Sequence, residues 1–288
     1  MHMLKKIYML AAAMLMSLPL LQAQESEGLK VMSYNIRLGS AQDGTNSWSL
    51  RYTATGEMLA DQKPDVFGVQ EALEYQVRYI EEMCGYESVG VGRENGKKEG
   101  EHMSIFWNKK TVSMLKWGTF WLSETPEKPS KGWDAECFRT ATWALMKDKK
   151  TGKKFYFLNT HLDYKGTEAQ KNGLKLIMEK IAQINPEGLP MVLTGDFNIE
   201  PSNPILADLD TRMQNVRKIA EKTDDHATYN GWGKSSTMID YIYVSGFSTY
   251  PEYQTITKRY EDRKFISDHY PVFESFCNGL IYRICAEA

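Results

Sequence analysis

The feature that most constrains the fold is a repeated local design. Short apolar runs rich in β-branched and aromatic residues stop on a residue that can carry charge or bind a cation. Residues 30–34 run into Asn35, residues 65–69 into Gln70 and Glu71, residues 154–158 into Asn159, Thr160 and His161, and residues 189–193 into Thr194, Gly195, Asp196, Phe197 and Asn198. Farther on, residues 237–239 meet Asp240 and the run resumes over 241–244, while Ser267, Asp268 and His269 precede the run 270–273. Apolar runs of this length, bounded by turn formers, predict buried strands. Between them, Leu174, Ile177, Ile181 and Ile184 recur at three- and four-residue spacing and predict a helix over residues 167–184, stopped by Asn185, Pro186 and Gly188. Helices are also predicted over residues 51–62, ended by Pro64, and over residues 73–84, and Pro204 after Ser202 and Asn203 opens a short one. Interleaved strands and helices make the class α/β, or layered α+β. No linker, low-complexity tract or short repeat interrupts the chain, so one domain is expected over residues 27–276.

Charge and the chain ends narrow the setting. Of 288 residues, 35 are Lys or Arg and 37 are Asp or Glu, a net charge of -2. That excludes a strongly basic nucleic-acid coat but leaves room for a local basic groove or a cation-bridged phosphate. Lys5 and Lys6 precede an apolar stretch over residues 7–21, broken only by Ser17 and Pro19, with Ala23 before Gln24. This is the layout of a secretory signal peptide over residues 1–23. The stretch is shorter than the roughly 18–20 residues that span a bilayer, so no stable membrane insertion is expected once it is removed. A secreted or periplasmic location follows. The four cysteines, Cys84, Cys137, Cys277 and Cys285, include no CxxC and no zinc-ligand spacing. They read as buried free thiols, with a Cys277–Cys285 bridge as the alternative. The tail over residues 277–288 is assigned no role.

The chemistry-bearing residues form a carboxylate–amide–imidazole set. Asn35, Glu71, Asp196, Asn198, Asp240, Asp268 and His269, brought together, would bind a hard divalent cation such as Mg²⁺, which prefers oxygen ligands and keeps several waters. Glu71 is the best direct ligand, with Asn35 and Asp268 close by. Such a cation polarises a phosphoryl oxygen and neutralises charge in an in-line displacement. The nucleophile must be water, since the chain has no GxSxG elbow. Asp196 and Asn198 are two residues apart, so on an extended segment they point the same way and can grip one water. His269 needs a carboxylate to fix its tautomer, and Asp240 is the candidate. His161 is a second imidazole, suited to donate to the phosphate or the leaving group, with Glu101 to orient it. Any one of these residues alone has a bland explanation as a turn former, cap or packed polar group. Agreement among several strand ends does not.

Two aromatic stretches are candidates for a substrate wall. One covers residues 116–138, with Trp117, Phe120, Trp121, Trp133 and Phe138; the other is Tyr229-Asn230-Gly231-Trp232-Gly233, with Trp232 as the stacking residue. Taken singly, each aromatic is better explained by packing. The lysines at 97, 98, 109, 110, 147, 149, 150, 153 and 154 read as solvated faces rather than a duplex grip.

Ser33-Tyr34-Asn35-Ile36-Arg37, Val69-Gln70-Glu71, Asn159-Thr160-His161-Leu162-Asp163, Gly195-Asp196-Phe197-Asn198, Ile239-Asp240-Tyr241-Ile242 and Ser267-Asp268-His269-Tyr270-Pro271-Val272 occur in an order that resembles the endonuclease/exonuclease/phosphatase superfamily. The resemblance covers nearly all of the mature chain. It implies a four-layer α/β sandwich, two packed mainly antiparallel β-sheets with helices outside, and dependence on Mg²⁺ or Mn²⁺. It further implies that Asn35 lies beside the metal and that Glu71 is its main ligand, with Asp268 a further metal-site carboxylate. Asp196 and Asn198 position water and phosphate, and Asp240 partners His269, which serves as base or phosphate stabiliser. His161 is the second histidine of the deoxyribonuclease I-like and phosphatase branches, with Glu101 in the place of its carboxylate partner. Cys137-Phe138-Arg139-Thr140-Ala141-Thr142-Trp143 resembles a segment of exported bacterial members, and Arg139 is expected to touch phosphate. The expected partner is a phosphorylated substrate, nucleic acid or small phosphate ester, with no obligate protein partner evident. Cleavage of a phosphodiester comes first. The alternatives are a phosphomonoesterase of a sugar, inositol or nucleotide phosphate, a sphingomyelinase-like phospholipid diesterase, and a non-catalytic binding module, against which the intact acid–amide–histidine set argues. A glycosidase would leave the Asn and His residues unexplained.

Overall fold

The structure, a computed structural model, describes residues 28–276. The signal-peptide expectation for residues 1–23, and those for Cys277, Cys285 and the tail, lie outside the described residues. Cys84 and Cys137 are free thiols. No described helix is long and apolar enough to cross a membrane.

Two six-stranded sheets carry the chain. The first contains β1 (Leu29–Asn35), β2 (Val66–Gln70), β3 (Glu87–Val89), β4 (Ile105–Trp107), β11 (Tyr253–Thr255) and β12 (Val272–Phe276), in the order β11-β12-β1-β2-β4-β3. The second contains β5 (Val112–Trp121), β6 (Thr140–Asp148), β7 (Lys154–His161), β8 (Met191–Asp196), β9 (Gln214–Asn215) and β10 (Asp240–Ser245), in the order β5-β6-β7-β8-β10-β9. Each sheet holds one parallel pair, β1 with β2 and β7 with β8, and is otherwise antiparallel. The helix α1 (Trp48–Gln62) joins the first parallel pair and α3 (Thr167–Ile184) the second; α2 (Glu74–Cys84) packs beside α1, and the short α4 (Ala207–Arg212) and α5 (Val216–Ile219) flank β9. Three apolar clusters separate the layers. Val31, Val66, Phe155, Phe157, Val192, Ile242 and Val244 fill the space between the sheets. Met32, Tyr34, Phe67, Val69, Met58 and Ile80 pack the first sheet under its helices, and Leu158, Leu193, Tyr241, Leu174 and Ile177 do so for the second.

The two-residue period of a strand explains where the polar residues go. Along β1, Leu29 and Val31 face the other sheet, and the same parity carries Ser33 and Asn35. Along β7 the row is Phe155, Phe157, Asn159, His161; along β8, Val192, Thr194, Asp196; and β10 runs back from Asp240 to Ile242 and Val244. Each row is apolar at one end and polar at the other, so the inter-sheet space opens into a polar pocket at one end of the strands. A buried network seals the boundary: Gln70 Nε2 donates to Asn159 Oδ1 (2.6 Å), Thr194 Oγ1 donates to the same oxygen (3.2 Å), and Asn159 Nδ2 donates to Val69 O and Ser104 O. Gly68 makes this approach possible, since a Cβ there would sit 2.4 Å from Asn159 Oδ1.

One strand departs from the expectation. Residues 237–239 lie outside the sheet and β10 begins at Asp240, because Thr228 Oγ1 captures the Ile239 and Asp240 amides (3.0 Å each). Most of the lysine clusters are also placed clearly. Lys109 and Lys110 lie on the turn before β5, Lys147 and Lys154 at the paired ends of β6 and β7, and Lys149, Lys150 and Lys153 on the turn between those strands, where Lys149 N donates to Thr111 O. That is the opposite end of β7 from His161, roughly 23 Å away at strand rise.

Candidate active site

A cavity of about 530 Å³ opens at the polar end of the sheets, lined among others by Arg37, Glu71, Arg93, Glu101, Arg139, His161, Asp196, Asn198, Asp268 and His269. Asn35 ends β1 and lies beneath it. Its Nδ2 donates to Glu71 Oε1 (3.1 Å) and Asp196 Oδ2 (2.9 Å), and its Oδ1 accepts the Arg37 amide (3.0 Å). The side chain therefore turns its N–H groups toward Glu71 and Asp196 and holds these acids in place. Glu71 follows β2 with φ 63, a left-handed backbone unusual for a side-chain-bearing residue and stored here at the pocket floor. Leu38 N donates to its Oε2 (2.8 Å).

The register of β8 aligns Asp196 with both His161 and Asp240. Asp196 Oδ2 lies 3.4 Å from His161 Nε2 and 3.6 Å from His269 Nε2, and its Oδ1 accepts the Asn198 amide (2.9 Å). Asn198 takes a left-handed turn (φ 52) that aims its Nδ2 at His161 Nε2, 3.0 Å away. His269 Nδ1 meets Asp240 Oδ2 at 2.8 Å, as expected from the sequence. Asp268 stands beside Arg37, whose Nη1 is 3.4 Å from its Oδ2.

The environments set opposite charges on the two imidazoles. Burial, and then the Arg139 and Arg93 charges, hold His161 well below the usual histidine range, so it is neutral. Burial alone would lower His269, but the Asp240 and Asp196 carboxylates outweigh it and lift it to about 10. Asp196 is pushed up to about 7, by burial first and then by the Asp240 charge, with the His269 charge opposing. Acid–base pairs whose environments drive them apart are the arrangement that proton transfer uses. It favours His269 as a charged phosphate stabiliser over His269 as a base.

The donor set suits a hard divalent cation. Glu71 and Asp268 bring carboxylates into one pocket, where burial and the Glu71 charge raise Asp268. Asp196, Asp240 and His269 form a buried group whose ligand atoms lie within 4.8 Å of one another. Oxygen donors dominate throughout, which is the chemistry of Mg²⁺ or Mn²⁺ rather than of a thiolate site.

Three placements differ from the sequence expectation. Glu101 does reach the pocket, but its Oε2 pairs with Arg93 Nη1 at 2.7 Å and stands 3.9 Å from His161 Nδ1, too far for a hydrogen bond. Trp232 is not in the wall. Its left-handed backbone (φ 59) turns the ring onto the Arg51 guanidinium at 5.7 Å, and Tyr229 of the same loop lines the pocket instead, its ring 4.8 Å from His269. From the aromatic stretch 116–138, only Cys137 lines the pocket; Trp121 is buried and Trp117 faces solvent.

Arg139 does reach the pocket. It is buried, its Nε is 3.6 Å from Asp163 Oδ2, and neither Nε nor Nη1 has a hydrogen-bond partner. Buried guanidinium N–H groups are rarely left so. Arg93, Arg51 and Tyr164 are further residues of consequence that the sequence did not single out.

These features are those of a phosphoesterase fold, a two-sheet sandwich with a polar pocket at one end of its strands. The model of the Endonuclease/Exonuclease/phosphatase family matches residues 32–269, and the chain belongs to that family. Its two sheets, flanked by helices, superimpose on an endonuclease/exonuclease/phosphatase family protein of Bacteroides thetaiotaomicron, with 32% sequence identity and TM-score 0.83, covering 88% of this chain and 98% of that one. A mannosyl-6-phosphatase of Bacteroides thetaiotaomicron is similarly close, at 32% identity and TM-score 0.82, covering 86% and 99%. Among curated proteins, uncharacterized protein L388 of Acanthamoeba polyphaga mimivirus is 22% identical over 268 residues, 85% of this chain and 98% of that protein.

Proposed function

We propose that the protein is an exported, Mg²⁺- or Mn²⁺-dependent phosphomonoesterase acting on a sugar phosphate. The observation that carries the monoester reading is the Arg139 guanidinium, buried at the pocket wall with two N–H-bearing atoms unpaired. A monoester phosphate is a dianion with three non-bridging oxygens, whereas a diester carries one charge and two such oxygens. The second charge calls for a cationic group opposite the acidic wall, and a guanidinium with free donors supplies it. The sequence alone ranks the diester first; Arg139, with Arg93 in the same pocket, supports the monoester. The size of the pocket suits a small ester, and the likeness to a mannosyl-6-phosphatase supports a sugar. Export rests on Lys5, Lys6 and the apolar stretch over residues 7–21.

A divalent cation held by Glu71 and Asp268 would polarise a phosphoryl oxygen and offset developing charge. The side chains do the rest. Asp196, braced by Asn35 and by the Asn198 amide, holds a water and takes its proton. Asn198 orients that water. His269, kept protonated by Asp240, donates from Nε2 to the phosphate, and neutral His161 accepts from Asn198 Nδ2 and so fixes the amide that orients the water.

With Mn²⁺ present, phosphate release from hexose 6-phosphates is expected to exceed cleavage of bis(p-nitrophenyl) phosphate. Arg139→Gln should lower kcat/KM for the monoester by about 10²–10³, the loss typical of one preorganised donor, and should lower diester cleavage far less. Preferred diester cleavage by the unaltered enzyme, or equal losses on both esters, would count against a monoesterase.

A further inference from the structure

We propose that Tyr164 is the platform on which the sugar ring of the substrate rests, making it the residue that favours cyclic over acyclic phosphate esters. This rests on the sugar-phosphate monoesterase reading above. Tyr164 lines the pocket yet is 60% exposed, the most exposed aromatic side chain among the described residues. Among those residues its ring stacks on no other ring and its hydroxyl makes no hydrogen bond. An aromatic ring left in water beside a polar cavity forgoes the burial that rings of its size otherwise gain.

The exposure does not come from a loose loop. Asp163 Oδ1 accepts the amides of Lys165 (3.1 Å) and Gly166 (2.9 Å), and its Oδ2 accepts that of Glu136 (3.0 Å). Gln170 Nε2 donates to Asp163 O at 2.7 Å, and Lys165 Nζ pairs with Glu136 Oε1 at 2.5 Å. Gly166 lies so close to Asp134 that a Cβ would stand 2.6 Å from its Oδ1. The backbone carrying Tyr164 is thus fastened on both sides, and a ring presented on stiff backbone loses little freedom when it binds.

Position supplies the rest. Tyr164 follows His161 by three residues and adjoins Asp163, whose Oδ2 is 3.6 Å from Arg139 Nε. A phosphate held by Arg139 therefore lies next to this ring. The other pocket tyrosine, Tyr229, already has its ring against His269. Tyr164 is left to meet the apolar C–H face of a pyranose, with the exocyclic carbon of a 6-phosphate bridging ring and phosphate.

The test is steady-state kinetics on mannose 6-phosphate, glucose 6-phosphate and the acyclic glycerol 3-phosphate, for the unaltered enzyme and for Tyr164→Ala, Tyr164→Phe and Tyr164→Trp. In Tyr164→Ala, the ratio of pyranose KM to glycerol 3-phosphate KM should rise about 3- to 10-fold, the worth of one aromatic contact, while kcat on the pyranoses changes less than KM. Phe and Trp should restore the ratio, since each keeps the ring face. A uniform loss on all three esters, or failure of Phe and Trp to restore the ratio, would overturn the platform while leaving the monoesterase intact. Absence of phosphate release from every ester by the unaltered enzyme would overturn both.

Discussion

Asp196→Asn and His269→Gln are each expected to lower turnover by about 10²–10⁴, the range for loss of a positioned acid or base, with the fold unchanged. Both replacements keep shape and a hydrogen-bonding head. Asn at 196 can still meet the Asn198 amide, and Gln at 269 can still donate to Asp240, so no buried carboxylate is stranded. Alanine at 269 would leave Asp240 buried without its partner and confound catalysis with stability. Asp196 sits 3.6 Å from His269 Nε2 and in the proposed mechanism the two act on one water and one phosphate, so the double variant should be little slower than either single one. Losses that multiply would show two independent groups. Circular dichroism and the thermal midpoint check that the fold is retained.

The second large effect is on stability. Arg51 is fully buried in α1 and pairs with no carboxylate among the described residues. Its Nη1 donates to Ile36 O (2.7 Å) and Ile266 O (3.0 Å), its Nη2 to Arg37 O (3.1 Å) and its Nε to Asn46 O (3.0 Å). One guanidinium thus ties the chain leaving Asn35 to the chain entering Asp268, beneath the acidic wall. Arg51→Ala strands these carbonyls, each unmade buried bond costing about 1–3 kcal/mol, and removes a large side chain from between Trp48 and Trp232. A net loss of about 3–5 kcal/mol is expected, since the desolvation cost of the buried guanidinium is removed with it and offsets part of that sum. The thermal midpoint should fall by on the order of 10 °C. A fall of under about 2 °C would show that water replaces the guanidinium without penalty.

Much of the site could be read in the sequence because strand geometry is so regular. Asn35, His161, Asp196 and Asp240 occur at the polar end of rows whose apolar members had to face a core, so a common pocket follows from period two alone. Residues on loops and helices gave no such signal. Arg51 looks like any surface charge on a helix until the 266–268 segment closes over it. Arg93 and Glu101 pair because the turn over residues 92–101 folds back on itself through backbone bonds such as Arg93 N to Glu101 O, a loop path that no periodicity encodes. In Tyr229-Asn230-Gly231-Trp232-Gly233, two aromatics compete for the wall. The outcome depends on one left-handed residue, Trp232, a conformation that a bulky aromatic does not advertise. Tyr164 lies three residues after a legible histidine, but its exposure depends on how Asp163 ties down the neighbouring amides.

In the proposed mechanism the acidic wall of Glu71, Asp196 and Asp268 works through a divalent cation. The direct measurement is phosphate release from mannose 6-phosphate by enzyme stripped with a chelator and dialysed, before and after Mg²⁺ or Mn²⁺ is restored. The expected result is background release from the stripped enzyme and recovery on addition of either ion, with Glu71→Gln failing to recover at the same ion concentration. Undiminished release from the stripped, metal-free enzyme would contradict it.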